Sequence, residues 1–201
     1  MYTVFLAGGI ASGKSSAAAR MAELGAVRID LDALSRTVLE PGSPCLAEIA
    51  DAFGRELIDD AGVLDRAALA ERVFASERDL AALEAIEHPY IYRALERSLA
   101  EHEGSVKLVE IPLLDRMEDK LDLADEVAVV VCPYQARRVR AIARGMEPEE
   151  FEARAARQPS DEYLIAHADT VFDNSGTRAE LIARIDAWWS EREAAGWGGR
   201  A

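Results

Sequence analysis

The sequence predicts a doubly wound α/β fold around a five-stranded parallel sheet, and three observations lead there. Short β-type runs alternate along the chain with longer stretches rich in Ala and Leu. One such run, Val127-Ala128-Val129-Val130-Val131, is continuously apolar, as a strand buried on both faces of a parallel sheet has to be. The first run, Val4-Phe5-Leu6-Ala7, leads straight into Gly8-Gly9-Ile10-Ala11-Ser12-Gly13-Lys14-Ser15, a G-x-x-x-x-G-K-[ST] turn that opens into an Ala-rich helix. Half of the 201 residues are apolar, enough to bury one sheet with helices on both faces.

Taken in order, Tyr2–Ala7 is the first strand, Lys14–Leu24 the helix after the glycine-rich turn, and Ala26–Asp30 the second strand. About 75 residues then pass before the third strand, Val106–Ile111, too many for one crossover. A helical subdomain is therefore expected there, built from Asp32–Val38, Pro44–Phe53, Asp65–Phe74 and Glu77–Ala100. Glu126–Val131 is the fourth strand and Thr170–Asp173 the fifth, with a second excursion between them carrying helices at Tyr134–Arg144 and Pro148–Ala156. The last helix is Ala179–Ala194, and the Gly-rich tail from Gly196 to Ala201 is expected to fray. The expected division is a core of 1–31, 104–136 and 168–201, an insertion of 32–103 and a lid of 137–167.

Charge and composition exclude several classes. A net charge of −14 argues against nucleic acid, whose backbone is gripped by clustered Lys and Arg. No charged leader precedes Tyr2 and no apolar run reaches the ~18 residues of a membrane span, so a cytoplasmic location without membrane partners is expected. Cys45 and Cys132 are far apart and form no C-x-x-C pair, which supports neither a disulfide framework nor a zinc site.

The glycine-rich turn carries the chemistry. Its glycines let successive N–H groups of Gly9, Ile10, Ala11, Ser12, Gly13, Lys14, Ser15 and Ser16 turn toward phosphate oxygens, and the helix after it adds the positive end of its dipole. Lys14 is suited to neutralise β- and γ-phosphates and Ser15 to hold Mg²⁺, the hard cation that nucleoside triphosphates bring. No N-K-x-D guanine reader follows, which disfavours a GTPase. Arg137, Arg138, Arg140 and Arg144 stand together in an acidic chain, and on a helix Arg137, Arg140 and Arg144 share one stripe. Alone they read equally as a solvated face pairing with Glu147, Glu149 and Glu150; after a phosphate loop they read as a clamp on a transferring phosphoryl group. Phosphoryl transfer to a hydroxyl also needs a carboxylate. Asp30 and Asp32, at the end of the second strand, both qualify, and spacing does not choose between base and helix cap; Arg36, one turn after Asp32, is placed to pair with it or to bind substrate phosphate.

These segments together resemble the bacterial dephospho-coenzyme A kinases over nearly the whole chain. The phosphate loop is similar to that family's, as is Asp30-Leu31-Asp32-Ala33-Leu34-Ser35-Arg36. Glu40-Pro41-Gly42-Ser43-Pro44, Phe53-Gly54, Leu64-Asp65-Arg66, His88-Pro89, Pro112-Leu113-Leu114, Arg140, Arg144, the Arg154-to-Gln158 spacing and Asp173-Asn174-Ser175-Gly176 follow in the family's order. The resemblance implies ATP-dependent phosphorylation of the ribose 3′-hydroxyl of dephospho-coenzyme A, the last step of coenzyme A synthesis, by a monomer or weak homo-oligomer. It implies Asp32 as base, with Lys14 and Arg140 also catalytic. Arg36, Leu64, Arg66, His88, Pro89 and Pro112 then contact the acceptor, Arg140 and Arg144 act from the lid, and Asn174 lies in the loop that holds adenine.

The chain departs from the family pattern at several places. Ala11 stands for the usual Gly, Arg137 for Gln, Tyr92 for Arg and Asp115-Arg116 for Phe-Glu, while Leu164 and His167 occupy positions that are usually basic. A P-loop kinase for another small hydroxylated metabolite or nucleotide would share the phosphate loop and lid but not the E-P-G-S-P and H-P segments. A nucleotide-binding homologue with reduced catalysis is the other alternative, and it would bind ATP without turnover.

Overall fold

The structure, a computed structural model, describes residues 2–197. The chain forms two compact units, one of residues 1–30 and 102–201, the other of Leu31–Glu101.

In the first unit, β1 (Tyr2–Ala7) leads to α1 (Lys14–Glu23) and β2 (Val27–Asp30). All strands of the sheet are parallel and lie in the order β2-β3-β1-β4-β5, with β3 at Val106–Glu110, β4 at Glu126–Val131 and β5 at Thr170–Asp173. The expected five-stranded α/β architecture is therefore present. β1 is the central strand, so the loop that follows it emerges at the carboxyl end of the sheet where crossovers diverge to both sides, the place open α/β sheets reserve for ligands.

Alternation along β1 divides the core between two faces. Tyr2, Val4 and Leu6 pack with Ala17, Ala18 and Met21 of α1 and with Leu181, Ile185, Trp188 and Trp189 of the terminal helix. Phe5, Val127 and Val129 are fully buried on the opposite face. The second excursion holds three short helices, not the two expected, and Asp161–Ala166 is the additional one. Six residues are too few for a helical period to show in the sequence; Ser160, accepting from the Tyr163 N–H at 3.1 Å, caps its start. The terminal helix, Arg178–Ala194, starts with a full capping box between Thr177 and Glu180.

The tail departs from the expectation of fraying. The Trp197 ring lies 4.6 Å from that of Trp189 and 5.3 Å from that of Tyr2, centroid to centroid, because a large aromatic surface outweighs the freedom of Gly196. The remaining tail positions, 198–201, lie outside the described residues.

The second unit is helical: α2 (Leu31–Thr37), α3 (Pro44–Phe53), α4 (Arg66–Phe74) and α5 (Glu77–Glu101), plus the 3-10 turn Arg55–Leu57. In chain order, the helices that follow in the first unit are α6 (Tyr134–Ala143), α7 (Pro148–Ala155), α8 (Asp161–Ala166) and α9 (Arg178–Ala194). Ser43 caps α3 with Pro44 behind it, and Asp65 caps α4 by accepting from Ala67 and Ala68. Leu46, Ile49, Leu64, Leu69 and Leu83 belong to this unit's own core, together with Cys45, whose thiol burial pushes up to about 11.

At the amino end of the sheet, Glu126 is almost wholly buried and accepts hydrogen bonds from Tyr2 Oη (2.5 Å), Trp188 Nε1 (2.9 Å), Arg192 Nε (2.8 Å) and Thr170 Oγ1. One carboxylate thereby ties β1, β4, β5 and α9. Burial raises its pKa, but the donors from Arg192, Thr170, Tyr2 and Trp188 together outweigh burial and hold it below the usual carboxylate value. A group with a depressed folded pKa contributes stability that is present above its unfolded value of about 4.3 and is lost as pH falls through the folded value. The melting temperature should accordingly drop below about pH 4.3, and Glu126→Gln should remove part of that dependence while costing on the order of 2 kcal/mol at neutral pH. Thermal melts of both proteins from pH 7 to 3 check this; parallel profiles would contradict it.

Candidate active site

The phosphate loop closes on itself through its carbonyls. Ser12 N–H donates to Gly9 O (3.0 Å), and Ser16 and Ala17 N–H donate to Gly13 O (2.9 and 3.0 Å). Gly13 caps α1 with φ +110°, and a Cβ there would overlap Asn174 Nδ2, so glycine is required for both conformation and space. No side chain caps this helix and its first turn holds no acid, which leaves the positive end of the dipole to a ligand. Lys14 Nζ donates to the carbonyl of Ile111, just past β3, at 2.9 Å, and Ser15 is exposed. Ala11 adopts φ +58°, the left-handed region that favours glycine.

Asn174, buried after β5, donates from Nδ2 to Ser12 O at 2.6 Å and from its N–H to Val131 O at 2.8 Å. Its side chain thus supports the phosphate loop from behind. Arg140 Nη2 donates to the carbonyls of Asn174 (2.9 Å) and Gly176 (3.2 Å), and Nη1 donates to Cys132 Sγ (3.2 Å). Arg144 is exposed at the C-cap of α6. Arg138, off the stripe, pairs with Glu152 of α7 at 3.3 Å. Arg137 is buried against Gly9 and pairs with Asp161 at 3.5 Å. Gln158, legible in the sequence only as a spacing from Arg154, accepts from Ile10 N–H at 2.6 Å. Pro112 lines a narrow crevice with Ala7, Gly8, Gly9, Gln158 and Leu164.

Among the described residues, Ser12 Oγ, Asn174 Oδ1 and Arg137 Nε are buried without a hydrogen-bond partner, and all three belong to the loop or to side chains touching it. Buried polar atoms concentrated at one loop mark a place built for a polar ligand.

In the second unit, Asp32 and Arg36 are exposed on α2, and Arg66 Nη2 reaches Arg36 O at 3.5 Å. Leu64 is a core side chain, leaving only its backbone to meet a ligand. His88 is half-buried with its ring 5.4 Å from that of Tyr92, and Pro89 is an exposed residue inside α5, where it removes one helical hydrogen bond. Burial pushes the Glu87 carboxyl up against the opposing pull of Arg66. Of the positions that are usually basic, Leu164 is buried in α8, and His167 ends α8 with its ring stacked 4.0 Å from that of Tyr163.

The left-handed conformation of Ala11 costs roughly 1–2 kcal/mol that glycine avoids, less what glycine loses in chain entropy. Ala11→Gly should raise stability by about 0.5–1 kcal/mol, a shift of about 1–4 °C in melting temperature. A thermal melt checks it; a fall would show that the methyl group packs favourably.

Comparison with known proteins identifies the family. A family model described as Dephospho-CoA kinase matches residues 2–180, from β1 into the first turn of α9. A dephospho-CoA kinase of Thermobifida fusca is 46% identical over 194 residues, covering 95% of this chain and 96% of that protein. One from Corynebacterium diphtheriae is 43% identical over 189 residues, covering 92% and 94%. A crystal structure of a Thermus thermophilus protein superposes with TM-score 0.80 at 33% identity, covering 94% of this chain and 97% of that one. With the phosphate loop, the helical second unit and the loop after β5 all inside the matched region, the chain belongs to the dephospho-CoA kinase family.

Proposed function

We propose that the chain transfers the γ-phosphoryl group of ATP to the ribose 3′-hydroxyl of dephospho-coenzyme A, giving coenzyme A and ADP. The observation that carries this reading is the family match falling on a phosphate loop whose uncapped helix start and Lys14 suit an anion. Residues 32–103 receive the acceptor through Arg36, Arg66, His88 and Pro89, residues 137–167 form the lid, and the rest is the nucleotide-binding core.

Lys14 exchanges the Ile111 carbonyl for β- and γ-phosphate oxygens and neutralises charge as the phosphoryl group moves. Asp32 orients the 3′-hydroxyl and accepts its proton as the bond from γ-phosphorus to the β-phosphate oxygen breaks and the new bond to the 3′-oxygen forms. The exposed Ser15 hydroxyl at the start of α1 fits a nucleotide-borne Mg²⁺, which takes most of its ligands from phosphate and water. When bound, that ion would supply charge neutralisation on the phosphates. Arg140, through the carbonyls of Asn174 and Gly176, shapes the loop that meets adenine, and Arg144 adds charge over the phosphates. The enzyme works in the cytoplasm as a monomer or weak homo-oligomer; among the described residues no helix is long and apolar enough to cross a membrane.

Coupled ADP release should be fast with dephospho-coenzyme A and at background with adenosine or shikimate. Turnover of shikimate in preference to dephospho-coenzyme A would overturn the assignment. Lys14→Ala should lose at least ~10²-fold in kcat with the fold intact. Asp32→Asn should lower kcat by roughly 10²–10⁴-fold, more than it weakens acceptor binding, and Asp30→Asn should be milder. If Asp30→Asn proves the more costly, the base has been misassigned. Arg140→Ala should lower kcat/KM for ATP more than Arg138→Ala does, and Arg140→Lys should restore only part, because a point charge cannot serve the two carbonyls and Cys132 Sγ together as the two nitrogens of a planar fork do.

A further inference from the structure

We propose that Arg137 and Gln158 are positioning residues for the phosphate loop, gripping the Gly9–Ile10 peptide from outside and holding the turn that contains Ala11 in its phosphate-accepting conformation. The Gly9–Ser12 turn is closed by the Ser12 N–H to Gly9 O bond and has Ala11 at its third position with φ +58°. Turns with positive φ there are made for Gly or Asn; with Ala, a relaxed alternative of negative φ lies lower in local energy. Reaching it rotates the Ile10–Ala11 peptide and with it the Ala11 N–H, one of the amides expected to face phosphate. Something outside the turn has to oppose that rotation.

Two side chains are placed to do so, on adjacent atoms of the turn. Gln158 Oε1 accepts from Ile10 N–H at 2.6 Å, fixing the amide that starts the turn. The guanidinium of Arg137 occupies the space where a Cβ on Gly9 would stand; such a Cβ would overlap Nη1 and lie 3.2 Å from Cζ and 3.6 Å from Gln158 Oε1. Both side chains therefore converge on one side of Gly9. Arg137 is itself held: its side chain is 9% exposed, Nη2 pairs with Asp161 at 3.5 Å, and its Cζ stands 5.8 Å from the centre of the Tyr134 ring. Nε is buried with no partner. Keeping a guanidinium buried on one long ion pair is costly, which sets this arginine apart from its neighbours on α6, whose partners are a half-exposed glutamate and backbone carbonyls.

The inference rests on residues 8–15 being the ATP site, and its test reads nucleotide binding alone, so it stands whatever the acceptor proves to be. Calorimetric titration with Mg·ATP is made on wild type, Arg137→Gln and Gln158→Leu, each with and without Ala11→Gly. Each single change should weaken ATP about tenfold, equivalent to about 1.4 kcal/mol. In the Ala11→Gly background the same changes should cost about twofold or less, because glycine takes positive φ without support. That rescue is what separates positioning from other roles. An equal loss in both backgrounds would mean that Arg137 and Gln158 touch the nucleotide directly, and unchanged affinity in both single variants would mean the contacts do not serve the loop; either overturns the proposal. If Arg137→Gln fails to fold with Asp161 left unpaired, the Gln158→Leu pair of proteins decides between the same outcomes.

Discussion

The constraint on which the rest of the structure depends is that the chain turns from β1 into α1 while leaving the start of that helix without a side-chain cap. The loop meets it by engaging its carbonyls within the protein. Gly9 O takes Ser12 N–H, Gly13 O takes two amides of α1, and Ser12 O takes the side chain of Asn174. With its carbonyls occupied and no side-chain cap or acid at the helix start, the loop suits an anion, even though the Ile10 and Ser12 amides are themselves taken by Gln158 Oε1 and Gly9 O. Asn174 matters because it joins the end of β5 to that loop, so the fifth strand, which lies far from β1 in sequence, becomes part of the phosphate cradle.

The four arginines of the α6 stretch show how position on a helix divides like residues among unlike tasks. Successive residues are rotated about 100°. Arg138 meets Glu152 in a half-exposed pair of small energetic worth, while Arg140, two residues on, is held by backbone carbonyls of the 174–176 loop. Arg137 lies against Gly9. A chain with net charge −14 thus brings three of its cations, Lys14, Arg137 and Arg140, to the phosphate loop or to the segment that supports it. Their local field acts over a few ångströms, where solvent and salt screen it least.

The two ends of the sheet carry opposite burdens. At the amino end, Glu126 is satisfied by Tyr2, Thr170, Trp188 and Arg192, and Trp197 covers the aromatic cluster beside it. At the carboxyl end, Ser12 Oγ, Asn174 Oδ1 and Arg137 Nε lack partners. Complete pairing gives stability; the incomplete pairing falls on the phosphate loop and the side chains packed against it.

By itself the sequence determined the α/β class, the five strands to within a residue at each end, and the loop from Gly8 to Ser15, because period, glycine placement and the Gly-Lys-Ser end are local signals. Helical spacing also placed Arg137, Arg140 and Arg144 on one expected stripe, but α6 ends at Ala143 and Arg144 is its C-cap, outside the helix. What each arginine touches, the support Asn174 and Gln158 lend the loop, the left-handed strain at Ala11, the six-residue α8 and the packing of Trp197 were decided by tertiary structure. The support of the loop depends on segments distant in sequence meeting at a distance of a few ångströms: Gln158 and Ile10 are 148 positions apart, Asn174 and Ser12 162. No periodicity or composition encodes such a meeting; only the closing of the sheet does.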